Sequence, residues 1–201
     1  MPKVWTDTVA SHRREVREAI LDAAGALLAR RGLLAFRMSQ LADAAEIGRA
    51  TLYKYFADVE EVLAAWHARQ IAGHLVELRA RAEGEGDAAV RLRSVLTLYS
   101  RICWQRSRHG EEGMAAVLHG RPEVQQRERE LRDMLTAVIA EAAARGVVRG
   151  DVPAEELAGF CVHALGAAGE VGTSEGAGHL VEVVWTGLTA GAPSGKAGTH
   201  R

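Results

Sequence analysis

The 201-residue sequence contains no asparagine, so it offers no N-glycosylation acceptor. It has two cysteines, Cys103 and Cys161, each in an apolar helical context. Such a pair reads as buried thiols rather than a disulfide framework, which points to a reducing cytoplasm. Prolines number four and β-branched alternation never persists, so strand signals are nearly absent. No apolar run approaches the ~20 residues of a membrane-spanning helix. Charge throughout the first thirty residues argues against a signal peptide. A large charge excess is missing too: 25 Lys and Arg face 26 Asp and Glu, a formal net of −1. That excludes a histone-like or polybasic protein, and any nucleic-acid contact must use a local basic patch.

What is present is helical periodicity almost from end to end, with 48 % apolar and 25 % charged residues. That composition affords a sizeable core and argues against disorder. Val16, Ile20, Ala23 and Leu27 predict a first amphipathic helix over 11–31, closed by Arg30, Arg31 and Gly32. Two short helices are expected at 39–46 and 49–56. A long one follows the N-cap Asp58 and runs to Arg81. Glu83 to Asp87 is a loop. Further helices are expected over the apolar positions Leu92 to Cys103, around Met114–His119, over 123–145, over 152–169 with Asp151 as its cap and Pro153 in its first turn, and over 177–190.

The last pair is weakly charged and rich in small residues, which allow helices to approach closely. It predicts a dimer interface made by Leu157, Cys161, Ala164, Leu165, Ala168, Leu180, Val184 and Leu188, the alternative being internal core.

The informative stretch is Ser39 to Phe56, SQLADAAEIGRATLYKYF. Leu41 and Ala42 on the first short helix, with Leu52 ten residues after Ala42 on the second, have the spacing of a helix-turn-helix. The second helix then turns Arg49, Ala50, Thr51, Tyr53, Lys54 and Tyr55 outward. Arginine can pair with guanine O6 and N7, alanine and threonine can touch a thymine methyl, and tyrosine and lysine suit phosphates. Arginines also gather nearby, at Arg13, Arg14, Arg17, Arg30, Arg31 and Arg37, a set that equally fits a solvated helix face.

On Leu41-Ala42, the run Ala45 to Phe56 and the helix opening at Asp58, the first 66 residues resemble the DNA-binding domain of TetR-family transcriptional regulators. The resemblance covers roughly a third of the chain. It implies an all-α protein: an N-terminal three-helix helix-turn-helix domain, then an α-helical ligand-binding and dimerisation bundle, about nine helices in total. The expected boundaries are a flexible arm over 1–10, the DNA-binding domain over 11–57, the regulatory domain over 58–192 and a disordered tail over 193–201. It implies DNA contacts by Arg37, Ser39, Arg49, Ala50, Thr51, Tyr53, Lys54 and Tyr55. The sequence departs from the family at Glu46, where glycine is usual; a left-handed turn there costs roughly 1 kcal/mol. Gly48 replaces a capping serine, and Val59 replaces a phosphate-binding lysine.

The resemblance further implies a homodimer on a pseudo-palindromic double-stranded operator with half-sites spaced by about one helical turn (~34 Å) or a multiple of it, bound most simply as a repressor. A small-molecule effector, mostly apolar, would release it. Trp66, Tyr99, Cys103, Trp104, Met114, His119, Phe160 and His163 are candidates for its pocket, and each also reads as ordinary core packing. No enzyme, cofactor, metal or membrane is expected: the histidines and cysteines lack ligand spacing, and no Glu-x-x-His occurs. Gly84-Glu-Gly86-Asp-Ala-Ala89 has the letters of a dinucleotide fingerprint but no preceding strand. The alternatives are a helical small-molecule-binding protein without a DNA role, and a transcriptional activator. Arginine outnumbers lysine 22 to 3, which hints at a GC-rich bacterial genome.

Overall fold

Helix formers dominate every long segment, and in the structure, a computed structural model, every element is a helix among the residues it describes: 3–33, 36–108, 118 and 121–191. The elements are α1 (Lys3–Arg31), α2 (Met38–Ala44), α3 (Arg49–Leu52), α4 (Val59–Ala82), α5 (Ala88–Arg108), α6 (Pro122–Ala144), α7 (Ala154–Gly166), a 3-10 turn (Ala167–Glu170) and α8 (Ser174–Thr189). Of the helix expected around Met114–His119 only Leu118 is described, helical and buried, and the tail over 193–201 lies outside the described residues. The chain divides into two units, Met1–Gln70 with Gly113–Gln125, and Ile71–Glu112 with Gln126–Arg201. The division falls inside α4.

In the first unit, α1 begins at Lys3 rather than at 11, so helix occupies most of the segment expected as an arm. Neither glycine nor proline falls between Lys3 and Ala24, so nothing local interrupts it. Its end is as expected, with Arg30 and Arg31 in the last turn and Gly32 left-handed at φ +69°. Ile20, Leu21, Ala24, Leu27, Phe36, Leu41, Ala42, Leu52, Phe56, Val62 and Leu63 are buried. Trp66 joins this core where α1 carries Gly25: a Cβ on Gly25 would lie 2.7 Å from the indole nitrogen.

Asp58 caps α4 as expected, accepting from the Glu61 N–H at 2.8 Å. Glu61 reaches back to the Ala57 N–H at 2.6 Å, a reciprocal cap displaced by one residue. Arg121 pairs with Glu60 in the same first turn at 2.7 Å.

In the second unit, Asp87 caps α5 through the Val90 N–H at 2.9 Å. The α5 residues Leu92, Val95, Leu96, Tyr99 and Ile102 share one core with Leu135, Ile139 and Ala142 of α6 and with α7 and α8. The buried Ser100 hydroxyl donates to the Ala177 carbonyl at 2.9 Å, fixing α5 against α8. After α6, Gly146 is left-handed at φ +70°, and Val147 N–H bonds back to Ala142 O at 2.9 Å. Asp151 does not cap α7. Both its oxygens are taken by Arg149 at 2.8 and 2.7 Å, and Pro153 stands at the cap position, outside the first turn. Helix α7 ends at Gly166 and tightens into the 3-10 turn, so the expected single helix over 152–169 is two elements. Helix α8 starts at Ser174, earlier than expected, because Thr173 caps it by accepting from the Gly176 N–H at 3.0 Å.

Candidate nucleic-acid interface

The helix-turn-helix is built from the buried side outward. Leu41 and Ala42 on α2 and Leu52 on α3 are within 1 % of complete burial, as their spacing required. The turn between them is a Schellman closure: Glu46 N–H bonds to Asp43 O at 3.3 Å and Ile47 N–H to Ala42 O at 3.0 Å. Such a closure needs a left-handed residue at its penultimate position, and Glu46 supplies it at φ +55°. Gly48 then caps α3 in extended conformation with no side-chain bond, and Arg37 caps α2 likewise. The Arg37 guanidinium instead donates to the Phe36 carbonyl at 2.9 Å.

Helix α3 is a single turn, Arg49–Leu52, not the helix over 49–56 that periodicity suggests. Beyond it the chain tightens, with Lys54 N–H on Thr51 O at 3.0 Å and Tyr55 N–H on Leu52 O at 2.9 Å. Aromatic residues gain little from helix, and the tighter turn brings Phe56 into the core at 1 % exposure. Outward go Arg37, Arg49, Ala50, Lys54 and Tyr53, the last a tyrosine ring 55 % exposed; Ser39, Thr51 and Tyr55 are half-buried. The eight residues named from the sequence therefore share one segment and none is lost to the core.

Two further side chains belong to this surface. The Arg13 guanidinium lies over the Tyr55 ring, 5.9 Å from its centroid, and that of Arg17 over Phe56 at 5.0 Å. Sequence reasoning grouped these arginines without placing them; their i, i+4 spacing is the signal that puts both on one face of α1. One turn further along α1, Glu18 and Asp22 are both bound by Arg69 at 2.9 Å.

The residues proposed for an effector pocket fall in both units and in part outside the described residues. Trp66 is part of the first unit's core, and Met114 and His119 lie outside the described residues. In the second unit Tyr99 is buried and hydrogen-bonded to the half-buried Cys103, with Trp104 half-buried beside them in sequence. Burial, together with the Cys103 contact, pushes the Tyr99 hydroxyl far above its usual range, and burial also raises the Cys103 thiol, so both are neutral. Phe160 and His163 are on the exposed side of α7, and His163 Nδ1 is 2.8 Å from the Gly159 carbonyl of its own helix.

Two concavities of the second unit are lined by other residues. One of about 400 Å³ is lined by Arg79, Arg91, Glu130, Met134, Val138 and Glu141, and one of about 360 Å³ by Arg81, Arg93, Ser94, Thr97, Leu98 and Arg101. Neither was foreseen, because each mixes charged residues from two or three helices.

The expected dimer seam also needs correction. Leu157, Cys161, Leu165, Ala168, Val184 and Leu188 are core of the chain itself, and only Ala164 and Leu180 are half-exposed. The physical reason is that α5 occupies the inner face of the α7–α8 pair. What the pair turns outward is Phe160 and Val183, 49 % and 66 % exposed.

Residues 20–66 match the family described as bacterial regulatory proteins, tetR family. The matched range opens at Ile20 in the α1 core and ends at Trp66, so it contains the whole helix-turn-helix. The tetR-type arrangement extends beyond it as a fold. A TetR-family transcriptional regulator from Pectobacterium atrosepticum superimposes with a TM-score of 0.77 at 22 % identity, covering 92 % of this chain and 97 % of that one. A TetR/AcrR-family regulator from Thermobifida fusca gives 0.69 at 23 % identity, covering 92 % and 98 %. The regulator FadR from Bacillus subtilis, in complex with stearoyl-CoA, gives 0.67 at 14 % identity, covering 85 % and 98 %. A comparison with curated proteins found no match. Among the described residues no helix is long and apolar enough to cross a membrane.

Proposed function

We propose that this chain is a ligand-responsive transcriptional regulator, a repressor that binds a pseudo-palindromic operator as a homodimer in the bacterial cytoplasm and catalyses no reaction. The observation that carries the reading is the tetR-family helix-turn-helix, whose outer side offers Arg49, Ala50, Thr51, Tyr53, Lys54 and Tyr55 while its inner side is closed by Leu41, Ala42 and Leu52. Arg49, in the first turn of the reader, is the base-reading side chain of this proposal. Tyr53, Lys54, Tyr55, Arg37 and Ser39 are its phosphate contacts.

Dimerisation is assigned to the outward side of α7 and α8, where Phe160 and Val183 stand in solvent between the half-buried Ala164 and Leu180. The effector is small and mostly apolar, and the neutral Tyr99–Cys103 pair with Trp104 is the side-chain group assigned to it. An effector that prefers the conformation unable to bind DNA must lower operator affinity by its preference ratio.

Selection of random duplex DNA by the purified protein, wild type beside Arg49→Ala, tests the reading. An enriched inverted repeat that is lost or relaxed in the variant is the expected result. A folded dimer that enriches nothing at low salt refutes it and leaves a helical small-molecule-binding protein.

A further inference from the structure

We infer that Arg13 and Arg17 form a second, sequence-independent phosphate clamp, held in place by the aromatic rings that follow the reading helix. The inference rests on the DNA-binding reading above and adds a partner contact that the helix-turn-helix residues do not supply.

Three observations carry it. Arg13 and Arg17 are exposed and one turn apart, so their side chains leave α1 on the same face. Each guanidinium is laid over a ring of the reader segment, Tyr55 at 5.9 Å and Phe56 at 5.0 Å. A guanidinium held over a ring is not thereby hydrogen-bonded, so its N–H donors stay available, and they are the part that matches a phosphate. Finally, among the described residues no carboxylate is paired with either arginine. Those nearest along the helix, Glu18 and Asp22, are both occupied by Arg69 at 2.9 Å, and Glu15 accepts from the Ser11 hydroxyl at 3.0 Å. Glu15, Glu18 and Asp22 thus each have a partner on the protein, and Arg13 and Arg17 stand exposed beside Tyr55 and Phe56.

The arrangement also says what kind of contact this is. Arg13 and Arg17 come from α1, not from the reading helix itself, and lie against rings that follow it, which puts them at its rim. A cation at the rim meets the sugar-phosphate backbone, which carries charge but no sequence information. Stacking removes rotamer freedom before DNA arrives, so the clamp is pre-ordered.

The test is the salt dependence of duplex binding by the full-length protein, using the operator selected above and a scrambled duplex of the same length. Arg13→Gln and Arg17→Gln are compared singly and together with wild type. Each substitution removes one phosphate contact per subunit and two per dimer, so the plot of log affinity against log salt should become shallower by about 1.8 for each. The loss should be equal on operator and scrambled DNA, and the selected sequence should not change. Arg17→Lys keeps the charge without the stacked plane and should retain the slope.

Unchanged slopes in variants whose helicity and melting match wild type overturn the clamp. A relaxed sequence preference overturns it as well, because it makes the arginines base readers. A wild type with no salt-sensitive duplex binding overturns instead the reading on which the clamp rests.

Discussion

Replacing Glu46 by glycine should make the protein more stable, although it deletes a side chain. Glu46 occupies the left-handed position of the Schellman closure between α2 and α3 at φ +55°. For an L-residue with a Cβ this backbone costs about 1–2 kcal/mol. Glycine removes that cost but loses more freedom on folding, which offsets about 0.5–1 kcal/mol of the gain. The side chain is exposed, so no buried contact is forfeited. Its charge is unfavourable to the end of α2 and favourable to the start of α3, and the two effects oppose each other. The net expectation is a gain of about 0.5–1 kcal/mol, or about 2–4 °C in melting temperature for each kcal/mol in a chain of this size.

The partner variant Glu46→Ala removes the same charge but keeps the Cβ, and should not share the gain. Gly146 offers a mirror test, because it fills the same position of an equivalent closure after α6 at φ +70°. Gly146→Ala should lose about 1 kcal/mol. Urea unfolding followed by circular dichroism measures all three. Equal stability of the alanine and glycine variants at position 46 would refute the claim that backbone strain is stored there.

Three further outcomes are expected. Gly25→Ala should destabilise by about 1–2 kcal/mol, since the new Cβ would meet the Trp66 indole nitrogen at 2.7 Å and the ordinary helix benefit of alanine cannot repay that overlap; chemical denaturation reads it. His74 has its pKa lowered from 6.5, chiefly by burial and then by the Arg106 charge, against an opposing pull from Glu77. The unfolded chain therefore binds the proton first, so melting temperature should fall as pH drops from about 6.5, and His74→Gln should flatten that fall. Burial pushes the Cys161 thiol up to about 12 and also raises Cys103, so a thiol reagent at neutral pH should modify neither rapidly until the protein is unfolded.

The helix-turn-helix was legible because it is a local object: Leu41, Ala42 and Leu52 had to face inward and the residues between them outward, whatever the rest of the chain did. The strained turn at Glu46 could be read for the same reason. The ends of helices were less legible because they depend on competition. Asp151 has the chemistry of a cap, but Arg149, two residues away, offers it a bidentate partner. Lys3 to Ala10 carries no breaker and also no amphipathic signal, so the helix there shows only in the fold. The α7–α8 pair was the least legible. Small, weakly charged helices look alike whether a neighbour belongs to the same chain or to another, and here α5 supplies the neighbour for Cys161, Leu165 and Val184. Phe160 and His163 fell on the outer side for that reason.

The shortness of α3 has a kinetic consequence. One helical turn cannot sustain itself, since nucleation costs more than a single turn returns. The shape of the reader is therefore lent to it by Leu52 and Phe56, which are locked into the core beneath. Its amide hydrogens should accordingly exchange with solvent through opening of that core rather than by fraying of the helix alone. Hydrogen exchange at Leu52, Tyr55 and Phe56 would then report the opening of the whole first unit, and loosening of α1 or of the first half of α4 would be felt at the reading surface as a loss of order.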